Sequence, residues 1–369
     1  MPEVIPHLLP WRFLHLARAL LASNLLRTHP KPYKLTFAIT NRCNAQCRHC
    51  DIWQKVEPAT PLRLDEIERF FSRYPHWAWI DLTGGEPFLR PDLLLLVEAI
   101  LKRVKRLYHL HLPTNAVSPT LTIQRIEAIL ALNPPRLTIS LSLDGPPDQH
   151  DLLRGVSGNW HGVMEVWEHF RRHPDPRLQL FFGFTLSDHT LGTLPITMQS
   201  VKERFPEIDA RAWHLNIAHH SDHYYGNPKT RLRSLESTAA FEAEISRLHA
   251  QKIIRRWIDP VAFLECLYLS YARAFVRGVT HPMPCRAVDA SLFLASDGTL
   301  YPCSIWNRPL GNLRDHDFDL MQLLVSPLVQ SIRAEIQANH CPGCWTPCDA
   351  YPTILGNLLP TLSGHTIPP

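Results

Sequence analysis

The chain has 369 residues, 45% of them hydrophobic and 20% charged, a composition typical of globular proteins. Lys and Arg total 38 against 34 Asp and Glu, and this net charge of +4 is too small to indicate nucleic-acid binding. The 33 prolines and 15 glycines are dispersed, which excludes a low-complexity chain. The longest apolar run, 93–101, is too short to cross a bilayer.

Residues 7–29 predict a helix within an N-terminal segment 1–32. Leu9, Phe13, Leu16, Leu20, Leu21 and Leu26 fall on one face, and Arg12, His15, Arg18 and Ser23 on the other. Two interpretations stay open. A basic amphipathic helix can lie on a membrane surface, or the helix can close one end of a barrel.

The following segment alternates between strand and helix patterns. Six strand-then-helix units indicate a parallel sheet, and six are too few for a closed eight-unit barrel. We therefore expect an α/β fold, a partial (β/α)6 barrel over 33–235, then a helical linker over 236–280 and a small cysteine-rich α+β extension over 281–369. The predicted strands are 34–40, 77–83, 107–113, 136–143, 178–186 and 211–218. The predicted helices are 62–74, 91–105, 121–132, 159–172 and 194–204.

Cysteine usage gives the strongest chemical signal. The first residues contain Glu3 and lack a small-residue cleavage site, so no signal peptide is predicted and we expect a cytoplasmic protein. Thiols there stay reduced, so clustered cysteines indicate metal ligands rather than disulfides. The nine cysteines stand at 43, 47, 50, 266, 285, 303, 341, 344 and 348.

The first group, Cys43, Cys47 and Cys50, has the spacing C-x3-C-x2-C directly after the first strand. Thiolates bind zinc or iron–sulfur clusters. Three cysteines leave one iron of a four-iron cluster open for a ligand. Zinc with His49 or His111 as a fourth ligand is the alternative from spacing alone.

Two strand ends carry polar groups that point to a ligand site. Gly84, Gly85 and Glu86 close the second strand, and Ser142 and Asp144 close the fourth. Ligands bind at the carboxyl edge of parallel sheets. The glycines would allow close backbone approach, and Glu86 could hold an ammonium group.

These motifs together resemble the radical S-adenosylmethionine (radical SAM) superfamily. The three-cysteine loop followed by Gly-Gly-Glu-Pro carries the resemblance over about 34–218. Ser-x-Asp-Gly at 142–145 and His-Asp-x-x-Arg-Gly at 150–155 are similar to its peptide- and protein-modifying branches. The resemblance implies that Cys43, Cys47 and Cys50 hold a 4Fe-4S cluster whose fourth iron chelates S-adenosylmethionine.

The resemblance also implies roles for the residues around this cluster. Gly84, Gly85 and Glu86 would bind the methionine amino group. The remaining wall positions would contact the rest of the cofactor: Ser142 and Asp144 the ribose or carboxylate region, Arg154 the carboxylate, and His49 the adenine.

The second cysteine group has the spacing Cys285-x12-Gly298-x4-Cys303, followed by Cys341, Cys344 and Cys348. Chemistry alone allows zinc or a cluster. The pattern resembles the SPASM or shorter twitch extension of the superfamily, which implies an auxiliary 4Fe-4S cluster. Five cysteines suffice for one such cluster, from the first two and two of the last three. Gly343 favours Cys341 and Cys344. Cys266 is expected to be a buried core thiol.

The resemblance implies reductive cleavage of S-adenosylmethionine to a 5′-deoxyadenosyl radical, which abstracts hydrogen from substrate. An electron donor such as flavodoxin or ferredoxin is expected. The auxiliary cluster would either accept the electron left on the substrate, which makes the net reaction an oxidation, or bind the substrate directly. The substrate class stays open between a small polar molecule, a lipid-linked molecule and a peptide. Ser304 replaces the Asp that acts as base in sulfatase-maturing relatives, which disfavours that activity. The alternative is a zinc-stabilised, non-catalytic binding protein or a membrane-associated scaffold.

Overall fold

The protein has an α/β fold in which parallel strands alternate with helices. The computed structural model describes residues 10–25, 31–229, 237–253 and 260–362. All six predicted strands are present, with ends within two residues of the predicted ones. They are β1 (Lys34–Thr40), β2 (Trp79–Gly84), β3 (His109–Thr114), β4 (Leu137–Ser142), β5 (Leu178–Leu186) and β6 (Trp213–Ile217).

Helices α2 to α7 follow or connect these strands. They are α2 (Leu64–Arg73), α3 (Leu93–Arg103), α4 (Pro119–Ala131), α5 (Pro147–Arg154), α6 (Asn159–Arg172) and α7 (Leu194–Arg204). Helix α5 was not predicted, because its first turn carries two prolines in succession that suggest a loop. Proline is nevertheless well suited to a first helical turn, where its missing N–H has no partner to lose.

The C-terminal strands extend the barrel sheet instead of forming a separate one. Strand β7 (Ser291–Leu294) pairs in parallel with β1, and Lys34 lies opposite Ser291. Strands β8 (Thr299–Tyr301) and β9 (Gly311–Asn312) add antiparallel pairs. The resulting order is β6-β5-β4-β3-β2-β1-β7-β8-β9, so the three strands of the C-terminal segment belong to the same sheet as the barrel strands.

The remaining helices cover this sheet and the C-terminal cysteines. They are α8 (Thr238–Ile253), α9 (Pro260–Val276), α10 (Leu320–Leu324), α11 (Pro327–Gln337), α12 (Pro347–Gly356) and α13 (Leu358–Leu362). Helices α8 and α9, predicted as a linker, carry a buried ion pair in which Lys252 Nζ lies 3.0 Å from Glu265. Lys252 also donates to the backbone oxygen of Trp213 on β6, at 2.6 Å. The segment is therefore packed against the barrel edge.

Helix α1 (Pro10–Leu25) lies across the base of the barrel, where the strands begin. Leu16 and Leu20 pack near Tyr33 and Ala78, which precede β1 and β2. The structure thus shows the barrel-closing interpretation. The predicted apolar face is split, because Leu21, like Phe13, is exposed. The predicted ends of this helix, 7–9 and 26–29, lie outside the described residues. Within the described chain, no helix is long and apolar enough to cross a membrane.

Candidate functional site: two cysteine-lined cavities

The first cysteine loop follows β1 at the carboxyl edge of the sheet. Cys43, Cys47 and Cys50 all line one cavity of about 200 Å³. Backbone hydrogen bonds hold the loop from the neighbouring α5: Gln46 N–H donates to the oxygen of Arg154 at 2.8 Å. Three thiols therefore face one enclosed space from a loop with a fixed backbone.

Gly84 and Gly85 allow β2 to end directly against this loop. Gly85 N–H donates to Thr40 O, and Glu86 N–H to Arg42 O, each at 2.8 Å. A Cβ atom at Gly84 would lie 2.1 Å from the oxygen of Thr40, so a side chain cannot be accommodated. Both glycines line the cavity. Their lack of a side chain is needed for the close backbone contact between the end of β2 and the start of the cysteine loop.

Glu86 lies in the cavity wall and is nearly fully buried. Its carboxylate accepts hydrogen bonds from Thr114 Oγ1 at 3.0 Å, Asn115 N at 2.7 Å and Phe88 N at 3.2 Å. Burial raises the pKa of Glu86 to about 7, although these three donors favour the ionised form. The carboxylate is therefore fixed in position and sensitive to a cationic ligand.

Arg154 lines the same cavity, and Asp144 lies behind it. The Arg154 guanidinium bonds Asp144 and lies 3.4 Å from Cys47 Sγ. The other Asp144 oxygen accepts from the N–H of Thr185 at 2.6 Å. Burial works against the charge of Asp144, but the adjacent Arg154 lowers the pKa of this carboxyl. Asp144 is thus engaged by protein groups and, unlike Ser142, is not part of the cavity wall.

Three buried polar atoms of the wall have no hydrogen-bond partner within the described residues. They are Nδ1 of His49, Nε of Arg154 and Oδ1 of Asn216. Burial lowers the pKa of His49 to about 4, so its ring is neutral at pH 7. Asn216 was missed from the sequence. The alternation along β6, which places His214, Asn216 and Ala218 on one face, was the signal that could have found it.

Beneath this cavity, the barrel interior holds a hydrogen-bonded chain of polar side chains. Ser140 Oγ lies 2.8 Å from His111 Nε2, and His111 Nδ1 lies 3.2 Å from Asp81. Asp81 in turn pairs with Lys34 at 2.9 Å. Burial opposes both charges, but their proximity raises the pKa of Lys34 and lowers that of Asp81. Inward positions that normally hold apolar side chains therefore carry ionisable groups here.

A second cavity is lined by four of the five C-terminal cysteines: Cys285, Cys303, Cys341 and Cys344. Backbone N–H groups face two of the thiols, and a histidine ring nitrogen faces a third. Ala287 N lies 3.4 Å from Cys285 Sγ, Trp306 N lies 3.3 Å from Cys303 Sγ, and His281 Nε2 lies 3.3 Å from Cys341 Sγ. Such donors stabilise thiolates bound to a metal cluster.

Cys348 is not part of that cavity wall. It lies on α12, and its backbone oxygen accepts a hydrogen bond from Lys34 in the barrel interior. Burial raises the pKa of Cys348 to about 12. Its inclusion among the candidate ligands is therefore not supported by its placement. The sequence left open which two of the last three cysteines join Cys285 and Cys303, and the structure groups Cys341 and Cys344 with them.

An acidic side chain also lines the second cavity. Asp349 lines it, and its carboxylate accepts from Ser304 Oγ at 2.6 Å and Thr346 Oγ1 at 3.0 Å. Ser304 follows Cys303 directly in the sequence, and the fold brings the carboxylate of Asp349 to it from α12.

Residues 218–227, which follow β6, connect the two cavities and are called the bridging loop below. His219 lines the first cavity, and its Nε2 accepts the N–H of Trp345, which follows Cys344, at 3.0 Å. Further hydrogen bonds reach both cysteine groups: Asn227 to His49 O, Asp51 N–H to Tyr225 O, Ser221 to Ser304 O, and His223 to Cys303 O. The loop therefore lines the first cavity and is hydrogen-bonded to residues that line the second.

Two family models match the chain. Residues 37–192 match the radical SAM superfamily, and residues 285–349 match SPASM, an iron-sulfur cluster-binding domain. The first match contains the three-cysteine loop, and the second contains the four cysteines of the second cavity.

Individual proteins agree with these matches. GTP 3′,8-cyclase of Aquifex aeolicus is 31% identical over 151 residues, covering 38% of this chain and 45% of the cyclase, less than half its length. The AdoMet-dependent heme synthase of Methanosarcina barkeri is 28% identical over 309 residues, 78% of this chain and 81% of the synthase. The solved structure of native anSMEcpe with bound AdoMet (S-adenosylmethionine) has a TM-score of 0.59 at 14% sequence identity. The match covers 91% of this chain and 99% of that chain, and it shows that the two share a fold.

The side chains present fit these groups. Three thiols face one cavity whose wall also holds buried polar atoms that have no partner among the described residues, and four thiols face another. Cysteines in these numbers suit 4Fe-4S clusters, with one open iron in the first. The chain therefore contains a radical SAM domain, for a 4Fe-4S cluster and S-adenosylmethionine, followed by a SPASM domain for auxiliary iron–sulfur binding.

Proposed function

We propose that this protein cleaves S-adenosylmethionine reductively and abstracts hydrogen from a polar substrate in a net oxidation. The observation that carries the proposal is one cavity that brings together three thiols, a buried carboxylate and a buried guanidinium. A one-electron donor such as flavodoxin or ferredoxin would supply the first cluster. The bound cluster and S-adenosylmethionine supply the hydrogen-abstracting chemistry, and the chain's own residues bind, orient and shield.

The two charged groups of the wall suit the two ends of an amino acid. Glu86 faces the cavity as an anion held by three hydrogen bonds, which suits the methionine ammonium group. Arg154 presents a guanidinium that suits the methionine carboxylate. Asp144 is a positioning residue in this scheme, because it holds Arg154 by an ion pair within the protein.

The uncharged wall suits the remainder of the cofactor and the substrate. His49 is a neutral ring beside Cys50 and can stack on adenine. Ser142 and Thr185 add hydroxyl groups, and Asn216 offers an acceptor that needs a donor. These polar groups favour a substrate with hydroxyl or amine groups over an apolar one.

Net oxidation requires an acceptor for the electron left on the substrate and another for a proton. His219 in the wall of the first cavity is hydrogen-bonded to Trp345 in the wall of the second, and this direct contact supports electron transfer to an auxiliary cluster there.

The first test is the iron and sulfide content of anaerobically reconstituted protein, with its visible spectrum. Two 4Fe-4S clusters correspond to about eight irons per chain, and alanine at Cys43, Cys47 and Cys50 together should leave about four. Dithionite and S-adenosylmethionine should then yield 5′-deoxyadenosine in the wild type and none in the variant. Zinc without iron would refute the proposal and favour a zinc-stabilised binding protein.

A further inference from the structure

Helix α1 is apolar on two faces. Its inner face packs on the barrel base through Leu16, Ala19 and Leu20. On the opposite face, Trp11, Leu14, Leu21 and Leu25 follow helical spacing, and each is between 41% and 59% exposed. We call these four residues the α1 stripe.

A contiguous exposed stripe differs from isolated apolar residues, which are ordinary on protein surfaces. Helix α13 adds Leu359 beside it, 44% exposed, and the Leu359 N–H donates to Asn24 Oδ1 of α1 at 2.9 Å. Inward contacts cannot account for the stripe, because a different set of α1 side chains makes them. The stripe therefore offers an unpartnered surface within the described part of the chain.

The surroundings of the stripe are positively charged. Arg18 lies within it and is exposed, as are Lys31 and Arg106 at the barrel base. Burial is the main cause that lowers the pKa values of His15 and His76, which lie between α1 and the barrel. These cations lower the two pKa values further. In the sequence, no Asp or Glu occurs between Glu3 and Asp51. The barrel base therefore suits an anionic partner.

We propose that the barrel base docks peripherally on an anionic lipid surface through the α1 stripe. The combination of a tryptophan, three leucines and interspersed arginine is the pattern by which helices lie in a membrane interface. A lipid surface accepts all of these side chains at once, because the arginine can reach the headgroups while the leucines enter the acyl boundary.

Docking at the base leaves the reaction site at the opposite end of the strands. Strand β1 has seven residues, which separates base from carboxyl edge by roughly 23 Å at about 3.3 Å per residue. The lipid contact is therefore independent of the proposed reaction, and either can fail alone.

The test is co-sedimentation of the full chain with vesicles of phosphatidylcholine, alone or mixed with phosphatidylglycerol. We expect binding to the anionic vesicles that weakens with added salt, since surface charges are screened. Leu14→Glu with Leu21→Glu should weaken this binding at least about tenfold, because apolar burial is lost and charge is reversed. Glutamate keeps helix propensity, so thermal unfolding should be unchanged.

The matched control is Ile196→Glu with Val325→Glu, two apolar residues that are 58% and 65% exposed elsewhere on the surface. This variant should bind vesicles like the wild type. Three results overturn the proposal: no vesicle binding, equal binding to neutral vesicles, or equal loss in the control variant. A dimer that becomes monomeric on changing the stripe, without vesicle binding, would instead assign the stripe to contact between two copies.

Discussion

The two cysteine groups differ in how the chain builds them. The first comes from one short loop, so its three thiols share a cavity as soon as that loop is fixed by α5 and the bridging loop. The second draws thiols from three separated segments, at 285, 303 and 341–344. A local spacing therefore identifies the first site, whereas the second exists only after β7, β8 and the C-terminal helices have assembled.

The walls of the two cavities differ as well. Glu86 and Arg154 place opposite charges in the first, which suits a ligand with an ammonium and a carboxylate. The second is surrounded by N–H groups directed at sulfur, with Asp349 held by two hydroxyl groups. This contrast supports a division between a site that binds cofactor and substrate and a site that holds a cluster.

The largest expected effect distinguishes two neighbouring cysteines. Cys341→Ala should remove the auxiliary cluster, so the iron content falls from about eight to about four per chain. Cys348→Ala is the matched change outside the cavity and should keep about eight. Iron analysis and the visible spectrum check this. Equal loss in both variants would show that Cys348 is a ligand and would erase the distinction drawn from its placement.

The next effect concerns the buried ion pair of the barrel interior, where Lys34 also bonds the backbone oxygen of Cys348. Lys34→Met breaks a buried pair with Asp81 and removes the donor to Cys348 O, so we expect a loss of about 3–5 kcal/mol in unfolding free energy. Lys102→Met, which breaks an exposed pair with Glu98, should cost no more than about 0.5 kcal/mol. Denaturant unfolding of both proteins measures the difference, and similar costs would contradict the buried network.

A smaller effect tests the hydrogen bond between the bridging loop and the second cavity. His219→Phe leaves the buried N–H of Trp345 without its acceptor, at an expected cost of about 1–3 kcal/mol. The visible spectrum of the auxiliary cluster should change, because Trp345 follows Cys344. His220→Phe, at an exposed neighbour, should leave the spectrum unchanged. An unchanged spectrum in both variants would mean that the bridging loop does not influence the second site.

The smallest effect is a pH dependence confined to the first site. The folded pKa of Glu86 is raised to about 7, so ionisation of its carboxyl is incomplete below that pH. Since an ammonium group prefers the carboxylate, affinity for S-adenosylmethionine should rise as pH increases from 6 to 8, by up to about tenfold per unit below the pKa. Folding stability depends on pH in the opposite direction. Because the pKa of Glu86 is raised from its usual value of 4.5 to about 7 on folding, the contribution of Glu86 to stability is lost as pH rises between these two values.

Equilibrium dialysis of S-adenosylmethionine against reconstituted protein measures this dependence. Glu86→Gln should bind more weakly and show a flat profile over the same range. A slope that survives in that variant would assign the dependence to another group. The auxiliary cluster spectrum should not follow this titration, because Glu86 lies in the wall of the other cavity.

Periodicity in the sequence predicted most of the secondary structure. Strand β5 and helices α6 and α7 have their predicted bounds, because alternating or helical apolar patterns run without interruption to polar ends. Strand β2 begins two residues later than expected: Trp77 and Ala78 are fully buried, but the register with β1 starts only at Trp79. Boundaries depend on hydrogen bonds with neighbouring strands, which the local pattern does not contain.

For the site, the sequence by itself determined the ligand chemistry: three thiols at short spacing, a glycine pair, and an acid after the second strand. Tertiary structure decided which groups face the same space. Asp144 pairs with Arg154 behind the wall, Asn216 enters from β6, and Cys348 lies outside the second cavity, with its backbone oxygen bonded to Lys34. The physical reason is that residue type and spacing are fixed locally, whereas the direction of a side chain and its partners depend on segments distant in the chain.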